Sequence, residues 1–210
     1  MVHGGGSVKV AALGDLHGRV SGVEVPECDL LLVTGDLGPI DYFDRWLDRA
    51  WSRAGRIVGI AGNHDLFAEK RPDLYHELDW TYLEGDTMQV LGLKIWGGPW
   101  TPPFLDWAFM RTEPELEERW SWIPDDVDVL LTHGPPWGTA DWSNYGMEHT
   151  GSTSLAARIA ELSDLRLHVF GHIHEGRGRG FYRPGCEWAN VALLDENYDR
   201  YPQAVEVFEL

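Results

Sequence analysis

A chain of 210 residues with 43% apolar and 24% charged residues has the size and composition of one ordinary globular unit, and it is read as a single domain over 1–210. The formal net charge of −17 disfavours nucleic-acid backbones and anionic membranes as partners. No apolar run approaches the ~18 residues of a bilayer span. The first ten residues lack the basic region and apolar stretch of a signal peptide. Two distant cysteines, Cys28 and Cys186, fit free thiols better than a bridge or a thiolate–zinc site. A cytoplasmic protein is expected, with the glycines at 4–6 as a flexible leader.

In chain order, an apolar strand over 8–13 ends in Gly14-Asp15, with His17 two residues on. About a dozen residues then separate Gly18 from the next strand, scant for a crossover helix, so a loop is expected. The strand over 30–34 ends in Gly35-Asp36. Ile40, Phe43, Trp46, Leu47, Ala50, Trp51 and Ala54 keep helical spacing, with Gly55 as the stop. A strand over 57–61 ends in Gly62-Asn63-His64-Asp65, and a further strand is expected over 90–96. Thr112, Pro114 and Glu115 announce a helix start, and Leu116, Trp120 and Ile123 share its face. The strand over 127–132 ends in His133-Gly134. A helix opens near Gly151, Ser152 and Thr153 and carries Leu155, Ile159 and Leu162. The strand over 167–170 ends in Gly171-His172-Ile173-His174, and 188–194 with 204–208 read as a closing hairpin in a second, partly antiparallel sheet.

The alternation of strands and helices defines an α/β chain. Open α/β sheets bind ligands beyond the carboxyl ends of their strands, and here five such ends carry polar, metal-capable residues. Asp15, His17, Asp36, Asn63, His133, His172 and His174 combine imidazole, carboxylate and amide oxygen. That set suits Mn, Fe, Co, Ni or Zn and is too rich in nitrogen for a Ca or Mg cage. In Asp-x-His and His-x-His the side chains at i and i+2 of an extended segment share one side.

The blocks GDLHG at 14–18, GD at 35–36, GNHD at 62–65, THG at 132–134 and GHIH at 171–174 resemble the signatures of the calcineurin-like metallophosphoesterases. WGGPWTPPFLDWAF at 96–109, LLTHGPPWG at 130–138 and LHVFGHIHEG at 167–176 are similar to the narrower metallophosphoesterase-domain-containing group. The resemblance implies two mixed β-sheets packed as a sandwich and flanked by helices. It implies a dinuclear site for two divalent transition-metal ions, Mn foremost: Asp15, His17 and His174 on one, Asn63, His133 and His172 on the other, Asp36 bridging. His64 would be the catalytic histidine and Asp65 its orienting partner. The implied activity is hydrolysis of small phosphodiesters such as cyclic nucleotides. Phosphomonoester or phosphoprotein hydrolysis, or a metal-binding scaffold, are the alternatives, and the oligomeric state is open. The segment WANVAL at 188–193 departs from the Asn–Ala–Ser-like pattern of the group, which puts substrate contacts in doubt.

Eleven tryptophans invite two readings, core packing or an aromatic wall beside the substrate. Trp137 and Trp142, which follow His133 closely, are the substrate-binding candidates, ahead of Trp96, Trp100 and Trp107. The helix start at 151–153 could cap itself or receive an anion. Glu175 could support a ligand histidine or lie at the surface. His3, His76, His149 and His168 fall outside the motifs and are not expected to touch metal.

Overall fold

The computed structural model describes residues 7–210; His3 and the glycines at 4–6 lie outside them. In chain order the elements are β1 (Lys9–Leu13), β2 (Leu30–Val33), α1 (Ile40–Ala50), β3 (Ile57–Gly59), α2 (Leu66–Lys70), α3 (Pro72–His76) and β4 (Thr81–Tyr82). Then come β5 (Asp86–Val90), β6 (Leu93–Gly98), α4 (Glu113–Trp120), β7 (Val129–Thr132), β8 (Trp142–Ser143), β9 (Glu148–His149) and α5 (Thr153–Glu161). The chain closes with β10 (Leu167–Phe170), β11 (Gly178–Arg183), β12 (Cys186–Asn190) and β13 (Glu206–Glu209).

Two mixed sheets result. The first runs β13-β1-β2-β3-β4 and the second β11-β12-β10-β7-β6-β5, while β8 and β9 form a separate ribbon. β1 to β4 are parallel, with β13 antiparallel along the β1 edge. In the second sheet β6, β7, β10 and β12 are parallel, with antiparallel strands at both edges. The period-two alternation of side chains decides what each face buries. Val10, Ala12, Leu30, Leu32, Val58 and Ile60 of the first sheet pack against Ile95, Val129, Leu131, Leu167 and Val169 of the second. The alternate residues Ala11, Leu13, Leu31 and Val33 belong to a larger cluster with Phe43, Trp46 and Leu47 of α1. Trp96 and Leu130 belong to it with Trp120 of α4 and Leu155 of α5.

Local chemistry explains the boundaries. Glu115 and Thr112 close the expected capping box on α4. Ser152 caps α5 by accepting the Leu155 N–H. The stretch after Gly18 carries no helix, as its length required.

Three expectations need correction. The strand expected over 90–96 is broken by a two-residue hairpin turn at Leu91 and Gly92, with φ of 53° and 82°. A leucine in that conformation is uncommon, so an apolar run concealed the turn. The two tail strands form but do not pair with each other. β12 joins β10 and β11, whereas the chain crosses past Gly14 at Ala192 and β13 joins β1 in the other sheet. Finally, α1 ends at Ala50, before the expected Gly55. Gly55 instead donates its N–H to Cys28.

Candidate metal centre

The strand ends β1, β2 and β3 of one sheet and β7 and β10 of the other meet at one edge of the sandwich, and the expected ligands lie in the loops that leave them. Asp15, His17, Asp36 and His172 all adopt positive φ, between 43° and 68°. A non-glycine residue held there costs free energy, and several together mark a backbone shaped by its site. The glycines between these residues are steric necessities. A Cβ on Gly62 would stand 2.3 Å from Asp36 Oδ1, and one on Gly171 would stand 2.1 Å from Asp15 Oδ2.

All seven expected ligands converge. His17 Nε2 lies 3.3 Å from His174 Nε2 and 3.5 Å from Asp36 Oδ2. His174 Nε2 lies 3.5 Å from Asp15 Oδ1. His133 Nε2 lies 3.5 Å from Asp36 Oδ1. Asn63 Oδ1 stands 2.8 Å from both His133 Nε2 and His172 Nδ1. Asp15, His17 and His174 form one compact ligand group, and Asp15, Asp36 and His133 form another. His64 also comes within reach, grouped with His17 and Asp36.

The hydrogen bonds around the cluster orient two of its rings. His133 Nδ1 donates to the Thr34 carbonyl and His174 Nδ1 donates to the Asp195 carbonyl. In its neutral form each ring therefore presents an Nε2 lone pair to other acceptors, an arrangement that favours positive charge between them. Burial would lower the His174 pKa, but the hydrogen bond and charge of Asp15 outweigh it and raise it to about 9. Burial, with the Asp15 charge second, pushes Asp36 well above the usual carboxylate range. His17 and His172 are driven by burial to about 3 and remain neutral imidazoles. Ligand imidazoles must be neutral to bind metal. The donor set therefore fits divalent cations of borderline softness.

The supporting contacts differ in part from expectation. Asp65 accepts the N–H of Gly62 at 2.7 Å and of Leu37 at 3.0 Å, so it ties the loops carrying Asn63 and Asp36 together. Among the described residues it makes no hydrogen bond to the His64 ring. That ring instead lies against Trp107, with centroids 4.2 Å apart, and edge-on to His17. The His64 N–H donates to Asp36.

Three residues beside the cluster are not marked out by the sequence motifs. Trp107, which the sequence places behind Trp137 and Trp142, lies against His64. Tyr198 stands edge-on to His17 and His174, 5.0 and 5.3 Å between centroids, in a turn with no motif to mark it. Asn190, inside the divergent WANVAL segment, donates to the Ile173 carbonyl and accepts the Ala192 N–H, which fixes the His-x-His loop.

Trp96 and Trp100 belong to the core, whereas Trp137 and Trp142 are exposed and flank His149, away from direct contact with the ligands. The start of α5 is occupied by Glu113, whose carboxylate accepts from Thr153 and Ser154, so no free anion is called for there. Glu175 accepts the Asn144 N–H and thereby docks the β8–β9 ribbon beside His174, instead of bonding a ligand histidine. His76 packs on Tyr82, and His168 is buried between Thr132 and Tyr182.

Fold and ligand cluster together define a metal-binding α/β sandwich. The family model of the calcineurin-like phosphoesterases matches residues 8–176, and the chain belongs to that family. It is 32% identical to metallophosphoesterase domain-containing protein 1 of Homo sapiens over 82% of this chain and 62% of that protein. A UPF0046 protein of Caenorhabditis elegans is 38% identical over 91% of this chain and 57% of its own length. The chain thus spans about three-fifths of these curated relatives. A solved structure aligns with a TM-score of 0.63 at 15% identity, covering 97% of this chain and 99% of its own, a likeness of fold. Members of this family use divalent metal ions. No helix among the described residues is long and apolar enough to cross a membrane.

Proposed function

We propose that the chain is a hydrolase of small phosphodiesters, acting as one domain over 1–210 with two divalent transition-metal ions, Mn foremost. The observation that carries this reading is the convergence of seven side chains whose nitrogen and oxygen atoms stand 2.8–3.5 Å from one another. Asp15, His17 and His174 would hold one ion, Asn63, His133 and His172 the other, and Asp36 both. When bound, such a pair of ions lowers the pKa of water and offsets phosphoryl charge.

The remaining work falls to the chain. Asp36 accepts the His64 N–H at 2.8 Å, which sets the His64 backbone beside the ligand cluster. Trp107 and His17 confine the His64 ring. Burial and the neighbouring histidines lower the His64 pKa. An anionic phosphodiester beside the ring would favour its protonated form, and the ring would then deliver a proton to the leaving oxygen. Asp65 acts as a positioning residue, because its two backbone hydrogen bonds hold the Asn63 and Asp36 loops in register. Two free cysteines suit a cytoplasmic setting.

The test is hydrolysis of bis(p-nitrophenyl) phosphate by chelator-stripped protein before and after adding Mn, Fe, Co, Ni or Zn, with p-nitrophenyl phosphate as the monoester control. Metal-restored turnover that favours the diester is expected. Full activity in the stripped protein would refute metal dependence, and preference for the monoester would refute the substrate class.

A further inference from the structure

The link between β1 and β2, which carries no helix, lies against α1 and leaves a groove that the mechanism does not use. Two clefts of about 300 and 320 Å³ make up the groove, and Arg49 lines both. One wall is the link itself, from Gly18 to Val25. The other is α1 with the turn after it. There Tyr42, Arg45, Arg49 and Arg53 recur at spacings of three and four, so they share one side. Asp41, Asp44 and Asp48 keep to the other side of the exposed face and line neither cleft.

The sign of this groove opposes that of the chain, which carries 17 Lys and Arg against 34 Asp and Glu. Among the described residues of the lining, Glu24 is the one acidic side chain against three arginines. Arg45 reaches Asp41 at 3.6 Å and Arg53 reaches Glu27 at 3.5 Å, both at exposed sites where such pairs are weak. Arg49 has no ion-pair or side-chain hydrogen-bond partner among the described residues. The facing wall is held in place. Arg200 donates to the Arg19 and Ser21 carbonyls at 2.8 and 2.7 Å, and Arg53 Nε donates to the Val25 carbonyl at 3.3 Å. Val23, Val25 and Trp46, which are largely buried, give the groove an apolar floor.

From this geometry we infer that the groove between the β1–β2 link and α1 binds an extended acidic segment of a partner protein. Arginines four residues apart on a helix are offset by ~6 Å along its axis. Alternate side chains of an extended strand share a face and recur every ~6.6 Å. Acidic side chains at alternate positions therefore match Arg45, Arg49 and Arg53, and apolar side chains between them meet the valine floor. Three such contacts take a segment of about five residues. A polyphosphate has the charge but would leave the floor uncovered. None of these residues belongs to the metal centre, so the inference is independent of the phosphoesterase reading.

The probe is the fluorescein-labelled peptide Asp-Val-Asp-Val-Asp-Val, titrated with the metal-loaded full chain and followed by anisotropy. Asp-Ser-Asp-Ser-Asp-Ser keeps the charge without the apolar side chains, and Lys-Val-Lys-Val-Lys-Val reverses the charge. Wild type should bind the Asp-Val peptide at least about tenfold more tightly than either control. Raising the ionic strength from ~0.05 to ~0.5 M should weaken it, as expected of exposed charges. The double variant Arg45→Glu, Arg49→Glu should keep the wild-type Tm and bind at least about tenfold more weakly. Arg49→Lys, which keeps the charge, should retain most of the affinity. No binding of the Asp-Val peptide by wild type, or undiminished binding by the double variant, would overturn the site. Equal binding of the Asp-Ser peptide, or displacement by tripolyphosphate as effective as by unlabelled Asp-Val peptide, would show a general anion site and overturn the assignment to a peptide.

Discussion

Acidification should unfold this protein in part through one buried histidine. His168 has no exposed surface; its Nε2 donates to Thr132 Oγ1 and its Nδ1 accepts from Tyr182 Oη, both at 2.8 Å. The direction follows because Thr132 spends its own hydroxyl proton on the Gly134 carbonyl, at 2.7 Å. Burial lowers the His168 pKa from 6.5 to about 3. A histidine with a depressed folded pKa contributes stability that is complete above its unfolded pKa. That stability is lost as pH falls through 6.5 towards 3, because only the unfolded chain takes up the proton. Between pH 7.5 and pH 4.5 the loss is on the order of 3 kcal/mol, because the slope reaches ~1.4 kcal/mol per pH unit only below the unfolded pKa. In a chain of this size that corresponds to roughly 6–12 °C in Tm. The assay is denaturant unfolding of wild type and His168→Gln at pH 7.5 and pH 4.5. Both chains share the metal ligands, so titration of those ligands cancels in the double difference. His168→Gln should be less stable at pH 7.5 and should lose about 3 kcal/mol less than wild type on acidification. Equal losses in the two chains would refute the reasoning.

Three further outcomes follow from the metal centre. Asp36→Asn should lower kcat by more than about 100-fold and reduce bound metal more than His172→Ala does, measured by metal analysis and turnover, because on the proposed assignment Asp36 would hold both ions and His172 one. His64→Ala should keep its metal while kcat falls ~10²–10⁴-fold, and more steeply for a cyclic nucleotide than for a nitrophenyl ester, whose leaving group needs no proton. Gly171→Ala places a Cβ 2.1 Å from Asp15 Oδ2, so it should cost roughly 1–3 kcal/mol in unfolding experiments and lower metal occupancy.

Much of the site was legible beforehand because its chemistry is local. A strand that ends in glycine followed by a ligand-capable side chain advertises itself in a few residues, and the elements bearing Asp15, Asp36, Asn63, His133 and His172 all formed where their apolar runs stood. The capping box of α4 was equally visible, since Thr112 and Glu115 satisfy each other within one turn. The supporting contacts were not legible. Asp65 adjoins His64 in sequence, yet its carboxylate turns to the N–H groups of Gly62 and Leu37. Tyr198 comes to stand edge-on to His17 only because the chain crosses between the sheets after β12.

Residue order and type thus located the strands that carry the candidate ligands, the starts of α4 and α5 and the side chains that can bind a cation, since each of these depends on spacing within a few residues. Only the tertiary structure decided that β13 joins β1 instead of β12, that Trp107 rather than Trp137 or Trp142 lies on His64, and that Asp141 and His149 join between two indoles. Such choices depend on which surfaces meet once the two sheets pack. Pairing partners far apart in the chain are selected by burial and hydrogen-bond satisfaction of the whole, and no short stretch of sequence carries that information.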